Sequence, residues 1–149
     1  MFREEAMMRI LAVFLSGVLV MVQSGCHARS SVPIVNVEDQ AIVREDGKAL
    51  TAEQVKRAII IAGSADKKLI WDISEEKEGH FVAKLVVRGK HTAVADILYS
   101  PTRLSIKYRD STNLNFEKDK EGRGLIHPNY NRWVNDLLRA IMAEIQKVR

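Results

Sequence analysis

Apolar residues recur along this chain in two rhythms. Between Thr51 and Ala62, Val55, Ala58, Ile59 and Ala62 repeat at helical spacing, which gathers side chains on one face of a helix. Thr51 and Gln54 form the T-x-x-Q pattern of a capping box, and Gly63 is expected to cap the other end. Ile60 and Ile61 widen the apolar face and predict a helix covered on most sides. A second helix is predicted from about Pro128 to Val148. Tyr130, Val134, Leu137, Leu138, Ile141, Ile145 and Val148 make its stripe, and Asn129, Arg132, Asp136 and Arg139 fall away from it. Pro128 suits the first turn, where its missing N–H leaves no bond unmade.

Between the helices the period drops to two. Leu69–Ser74 reads as a strand with Leu69, Trp71 and Ile73 on one face, and Glu75–Gly79 as an acidic turn. His80–Arg88 follows, with Phe81, Ala83, Leu85 and Val87 on one face and His80, Lys84 and Arg88 on the other. His91–Tyr99 returns, Ser100–Thr102 turns, and Arg103–Asp110 alternates most cleanly. There Leu104, Ile106 and Tyr108 point inward, and Arg103, Ser105, Lys107 and Arg109 outward. Val32–Val43 alternates loosely and is expected as an edge strand, since Pro33 is tolerated at a strand's start. Glu45–Lys48 reads as a turn. Ser111–Gly124 is expected as an exposed loop or loose hairpin held down by Leu114 and Phe116.

One register stays open. A two-residue turn at Gly89-Lys90 sets Phe81 opposite Leu98 and turns Asp96 toward the core, where a carboxylate needs a partner. An odd loop instead buries Ala93, Ala95, Ile97 and Tyr99. The order strand, helix, four strands, helix makes this an α+β fold. An antiparallel four- to five-stranded meander sheet packed by two helices is expected over residues 32–149.

The N-terminal segment follows neither rhythm. Ile10–Val22 is an uncharged, largely apolar run of 13 residues. A bilayer span needs about 20 residues, whereas a signal-peptide core takes about 7–15. Gln23-Ser24-Gly25-Cys26 resembles a lipobox, with Gln23 where an aliphatic residue is usual. Residues 1–25 are therefore expected to be a lipoprotein signal peptide, Cys26 the lipid attachment site, and residues 26–31 a tether. Glu4 and Glu5 are out of place before such a core, and translation from Met7 or Met8 would omit them. His27, not Asp, follows the cysteine; by resemblance to enteric-type sorting this points to the outer membrane, facing the periplasm.

Removing residues 1–25 takes away two arginines and two glutamates, so the net charge stays +4. Charges of both signs are interspersed, which suits a soluble surface and mild attraction to anionic envelope components. It makes no case for nucleic acid. Cys26 is the only cysteine, so its lipidation leaves the domain no disulfide and no thiol chemistry.

Candidate chemistry sits in two places. The corner of Asn113, Asn115, His127, Asn129 and Arg132 gathers amide, imidazole and guanidinium groups at a helix start, where free N–H groups favour anions. The same residues also suit capping and turn formation. The outward row Arg103, Lys107 and Arg109, with Lys84 and Arg88, is a candidate surface for anionic glycan or headgroups, or a solvated face. His80, His91 and His127 share no ligand spacing, so no metal site is expected, and no cofactor. No G-x-S-x-G motif is present, and the carboxylates are scattered.

The stretches His91-Thr92-Ala93-Val94-Ala95-Asp96, Ser105-Ile106-Lys107-Tyr108, Asp110–Phe116 and Ile126–Val134 (IHPNYNRWV) together resemble a family of small uncharacterised proteobacterial lipoproteins. The similarity covers roughly residues 50–145 and brings no activity or site with it. The expected role is a lipid-anchored, non-enzymatic domain that binds an envelope protein or anionic component. The alternative is a small-molecule or glycan sensor, or an enzyme, with its pocket at loop 110–116 and the start of the last helix.

Overall fold

The computed structural model describes residues 31–149. The expected signal peptide, the expected lipid attachment at Cys26 and the expected tether up to residue 30 lie outside the described residues. The elements are β1 (Val32–Pro33), β2 (Val37–Ala41), α1 (Ala52–Gly63), β3 (Trp71–Lys77), β4 (His80–Val87), β5 (His91–Tyr99), β6 (Arg103–Thr112), β7 (Glu117–Lys118), β8 (Gly124–Ile126) and α2 (Asn129–Gln146). The fold is α+β. Five antiparallel strands pair in the order β2-β6-β5-β4-β3, and β1, β8 and β7 form a small second sheet. Among the described residues no helix is long and apolar enough to cross a membrane.

The core follows the two rhythms. Phe81, Ala83 and Leu85 of β4, Ala93, Ala95 and Ile97 of β5, and Leu104 and Ile106 of β6 are buried with Val55, Ile59, Tyr130, Val134, Leu137, Ile141 and Ile145 of the helices in one cluster. Alternate strand residues face one side of a sheet, so β4 to β6 turn one face to the helices and leave the other open. Small alanines at 83, 93 and 95 let that inner face lie close under the helices.

The capping box forms as read. Thr51 Oγ1 accepts from Gln54 N at 3.2 Å, and Gln54 Oε1 accepts from Thr51 N at 2.9 Å. Thr51→Ala should therefore cost about 1 kcal/mol, read as a lower urea midpoint with an unchanged m-value. Two features of α1 correct the sequence reading. Gly63 is its last helical residue and Ser64 the cap. Ile60 and Ile61 are exposed, at 45% and 52%, because α2 and the sheet cover only the Val55–Ile59 side.

The β4–β5 hairpin also departs from the two-residue turn at Gly89-Lys90. Val87 pairs with His91, which leaves Arg88, Gly89 and Lys90 in the loop. Arg88 and Gly89 both have positive φ, and Lys90 N donates to Val87 O at 3.2 Å. The tight turn thus centres one residue earlier, on Arg88-Gly89, where two left-handed residues match the strand twist. Lys90 is the added residue that makes the loop odd. Phe81 consequently faces Ile97, Ala83 faces Ala95, and Val82 faces Asp96. Asp96 lies on the open face.

Glu75–Gly79 is not wholly a turn. β3 runs on to Lys77, and only Glu78 and Gly79 lie between it and β4. The 111–124 segment contains β7 and joins β8 in a short hairpin. Leu114 is buried, and the Phe116 ring stacks on Tyr108 with centroids 5.0 Å apart. Asn131, on the first turn of α2, binds the segment just around β1 with both ends of its amide. Its Oδ1 accepts from Val35 N at 3.0 Å and its Nδ2 donates to Pro33 O at 2.9 Å.

Candidate functional site

Irregular pairing builds a charged cluster on the open face. On β3 the step from Glu75 to Lys77 matches a single step from Phe81 to His80, so Glu76 is the extra residue of a bulge. On β6 the step from Tyr108 to Asp110 matches the single step from Ala95 to Val94, so Arg109 is extra there. A bulge bends its strand and re-aims the side chain it carries. These two bulges turn Glu76 and Arg109 toward His80 on β4 and Asp96 on β5.

The four groups bond in a ring. His80 Nε2 lies 2.8 Å from Asp96 Oδ1, and its Nδ1 lies 3.2 Å from Glu76 Oε2. Arg109 Nη1 donates to Asp96 Oδ1 at 2.9 Å, and Nη2 donates to Glu76 Oε1 at 3.0 Å. The His80 side chain is 13% exposed and that of Asp96 25%, against 44% for Glu76. The ring is thus anchored at the sheet and open to solvent on its β3 side. Hydrogen bonds from Arg109, outweighing the cost of desolvation, hold the Glu76 carboxyl below its ordinary range; the same bonds raise Arg109.

That shift has a sign. With the folded value below the unfolded one, near 4.5, the contribution is complete above that pH and lost as pH falls through the folded value. Urea midpoints followed from neutral pH downward should therefore fall below the carboxylate range. Arg109→Gln should flatten the part of that fall due to Glu76. An identical acid profile in the variant would separate Arg109 from the shift.

Glu76, His80 and Asp96 also present ligand-type atoms within 4.8 Å of one another. The arrangement suits an ion poorly. Each His80 nitrogen is already engaged with one acid, Nε2 with Asp96 and Nδ1 with Glu76. The Arg109 guanidinium already bridges both acids as their counter-cation. Proton transfer is equally constrained: a general base needs a nitrogen free toward a hydroxyl, and both His80 nitrogens face carboxylates.

The outward row of β6 is charge-balanced. Lys107 pairs with Glu38 at 3.2 Å and Arg103 with Asp39 at 3.4 Å, as Arg109 does with Glu76 and Asp96. The partners come from β2, β3 and β5, which no inspection of β6 alone reveals. A bulge at β2, with Asp39 at φ 48°, lets Asp39 N donate to Ser105 Oγ at 2.9 Å.

The loop–helix corner does come together, through bonds to backbone. Asn113 Nδ2 donates to Lys90 O at 2.7 Å, and Asn113 O lies 2.8 Å from His91 Nδ1. Asn113 and Asn115 both take positive φ, a conformation asparagine tolerates. Asn115 O accepts from Ser31 Oγ at 3.2 Å. His127 N donates to Leu114 O at 2.8 Å, and His127 Nδ1 accepts from Asn129 N at 3.1 Å, serving the start of α2. Arg132, near the start of α2, is exposed. Two shallow clefts of about 310 and 300 Å³ lie along the helix pair, lined by residues such as Ala62, Trp71 and Leu137, and Ala58, Ile61 and Val148. Neither reaches this corner. His80 and His91 stand at opposite ends of the β4–β5 hairpin.

No protein-family model, curated protein or solved structure matches this chain.

Proposed function

We propose that this chain is a lipid-anchored protein of the outer membrane whose periplasmic domain is non-enzymatic and works by binding. Its binding surface is the open face of the sheet, centred on Glu76, His80, Asp96 and Arg109 and extended along Lys107 and Arg103. The observation that carries this reading is the ring itself. Four charged or polar side chains from four strands are held in fixed relation on an uncovered face, where pre-set charges give specificity to a charged partner. Val86 and Leu98, exposed at 50% and 39%, add apolar contact on the same face. The partner is an envelope protein or envelope polymer bearing both charge signs. The bonding of Asn113 and His127 to local backbone weighs against a small-molecule pocket at the corner.

The anchor rests on Ser24-Gly25-Cys26 and the apolar run before it. Mass spectrometry of the mature N-terminal peptide should find lipid on Cys26; an unmodified cysteine removes the anchor. Crosslinking in intact envelopes, followed by co-purification, should recover a partner that is lost in an Arg103→Ala/Lys107→Ala/Arg109→Ala variant. Unchanged recovery from that variant would exclude the sheet face.

A further inference from the structure

We infer that one particular end of the domain, the end bearing the small sheet and the β4–β5 loop, lies against the lipid surface. The inference rests on the anchoring of Cys26 just proposed and adds which residues touch the bilayer. Cys26 precedes Ser31 by five residues, and an extended chain advances at most about 3.6 Å per residue, so Ser31 stays within about 18 Å of the anchor. Ser31 is fixed to the fold through Asn115 O, and β1 pairs at once with β8. The nine residues of β5 span about 30 Å, so the opposite end, at Gly79 and Ser100–Thr102, cannot take the same position while the tether holds.

The near end has the composition of a membrane-facing surface. Phe116 and Val35 are exposed there, at 42% and 61%. Ile34 N donates to Gly124 O, and β7 continues the same small sheet. Lys118 and Lys120 belong to this hairpin, and Arg88 and Lys90 to the loop that Asn113 ties beside it. None of the four is in an ion pair among the described residues, while Asp119 and Glu121 are already paired with Arg123. Glu117 is the remaining acid of the hairpin. Aromatic and aliphatic groups flanked by long cations fit the headgroup boundary of an anionic leaflet. So small a patch needs the tether, which holds it at high effective concentration.

The test uses the lipidated full chain in phosphatidylethanolamine/phosphatidylglycerol vesicles containing nitroxide-labelled lipid. Cys26 is the only native cysteine, so a single added cysteine takes a fluorophore, at Lys120→Cys near the surface or Thr102→Cys far from it. Quenching should be several-fold stronger at 120 than at 102. Introducing Arg88→Glu and Lys90→Glu should bring the two closer, with circular dichroism unchanged. Equal quenching on lipidated protein overturns the orientation and leaves the anchor standing. A ratio indifferent to the charge reversals overturns the cationic contact. Mass spectrometry of the same sample separates the readings: a lipid-free Cys26 overturns both.

Discussion

Phe81→Ala should lower the free energy of unfolding by about 3–5 kcal/mol, the cost of truncating a buried aromatic. Phe81 is 1% exposed, faces Ile97 across the ladder, and stacks on Tyr99 with ring centroids 5.3 Å apart. A domain of this size has about 5–15 kcal/mol in all, so the variant should sit near its unfolding threshold at 37 °C. The loss also reaches the open face. His80 and Asp96 flank the Phe81–Ile97 pair on the same two strands, so the inner packing sets the outer ring. Urea denaturation reads the first effect. Hydrogen exchange at the His80 and Asp96 amides reads the second, and should speed up under conditions where the variant is still folded. A loss under about 1 kcal/mol would mean the surrounding core closes over the cavity.

Gly63→Ala should destabilise by about 1–3 kcal/mol, as overpacking does. At an ordinary helical position the same change gains up to about 1 kcal/mol, so the sign alone is diagnostic. A Cβ on Gly63 would stand 2.7 Å from Ile73 Cδ1 and 2.9 Å from Trp71 O. Ile73 can turn its side-chain end aside. The Trp71 carbonyl belongs to the backbone of β3 and cannot move without shifting that strand. The glycine is what lets the last turn of α1 approach the edge strand. A stabilised alanine variant would show that the strand yields.

These two positions also mark where the sequence was readable. Phe81 could be placed on the inner face from period two alone, as could Leu104 and Ile106, because burial is a property of one strand at a time. A glycine ending a helical stripe suggests a cap, a local role, whereas the reason for Gly63 is a carbonyl eight residues away. The ring is hidden from the sequence for the same kind of cause. Glu76 lies in a segment whose acids and glycine suggest a turn, and Asp96 changes faces with the length of a loop whose turn centres on Arg88-Gly89. Alternation along β6 puts Arg109 on the outward row, but its carboxylates lie on β3 and β5. Bulges have no periodic signature: each is one residue out of step, visible only once the partner strand is known. The small sheet escaped because its strands are two or three residues long. The proposed anchor is the reverse case: it rests on local sequence alone and lies outside the described residues.

Two of the three bulges fall on the outermost strands. β2 is interrupted at Asp39 and β3 at Glu76, and these strands bound the five-stranded sheet on either side. An unpaired strand edge invites pairing with another chain. Under the proposed anchor, copies confined to one lipid leaflet would meet edge to edge far more often than in free solution. A kink and a carboxylate on each exposed rim would then act as insulation, keeping crowded neighbours from zipping their sheets together.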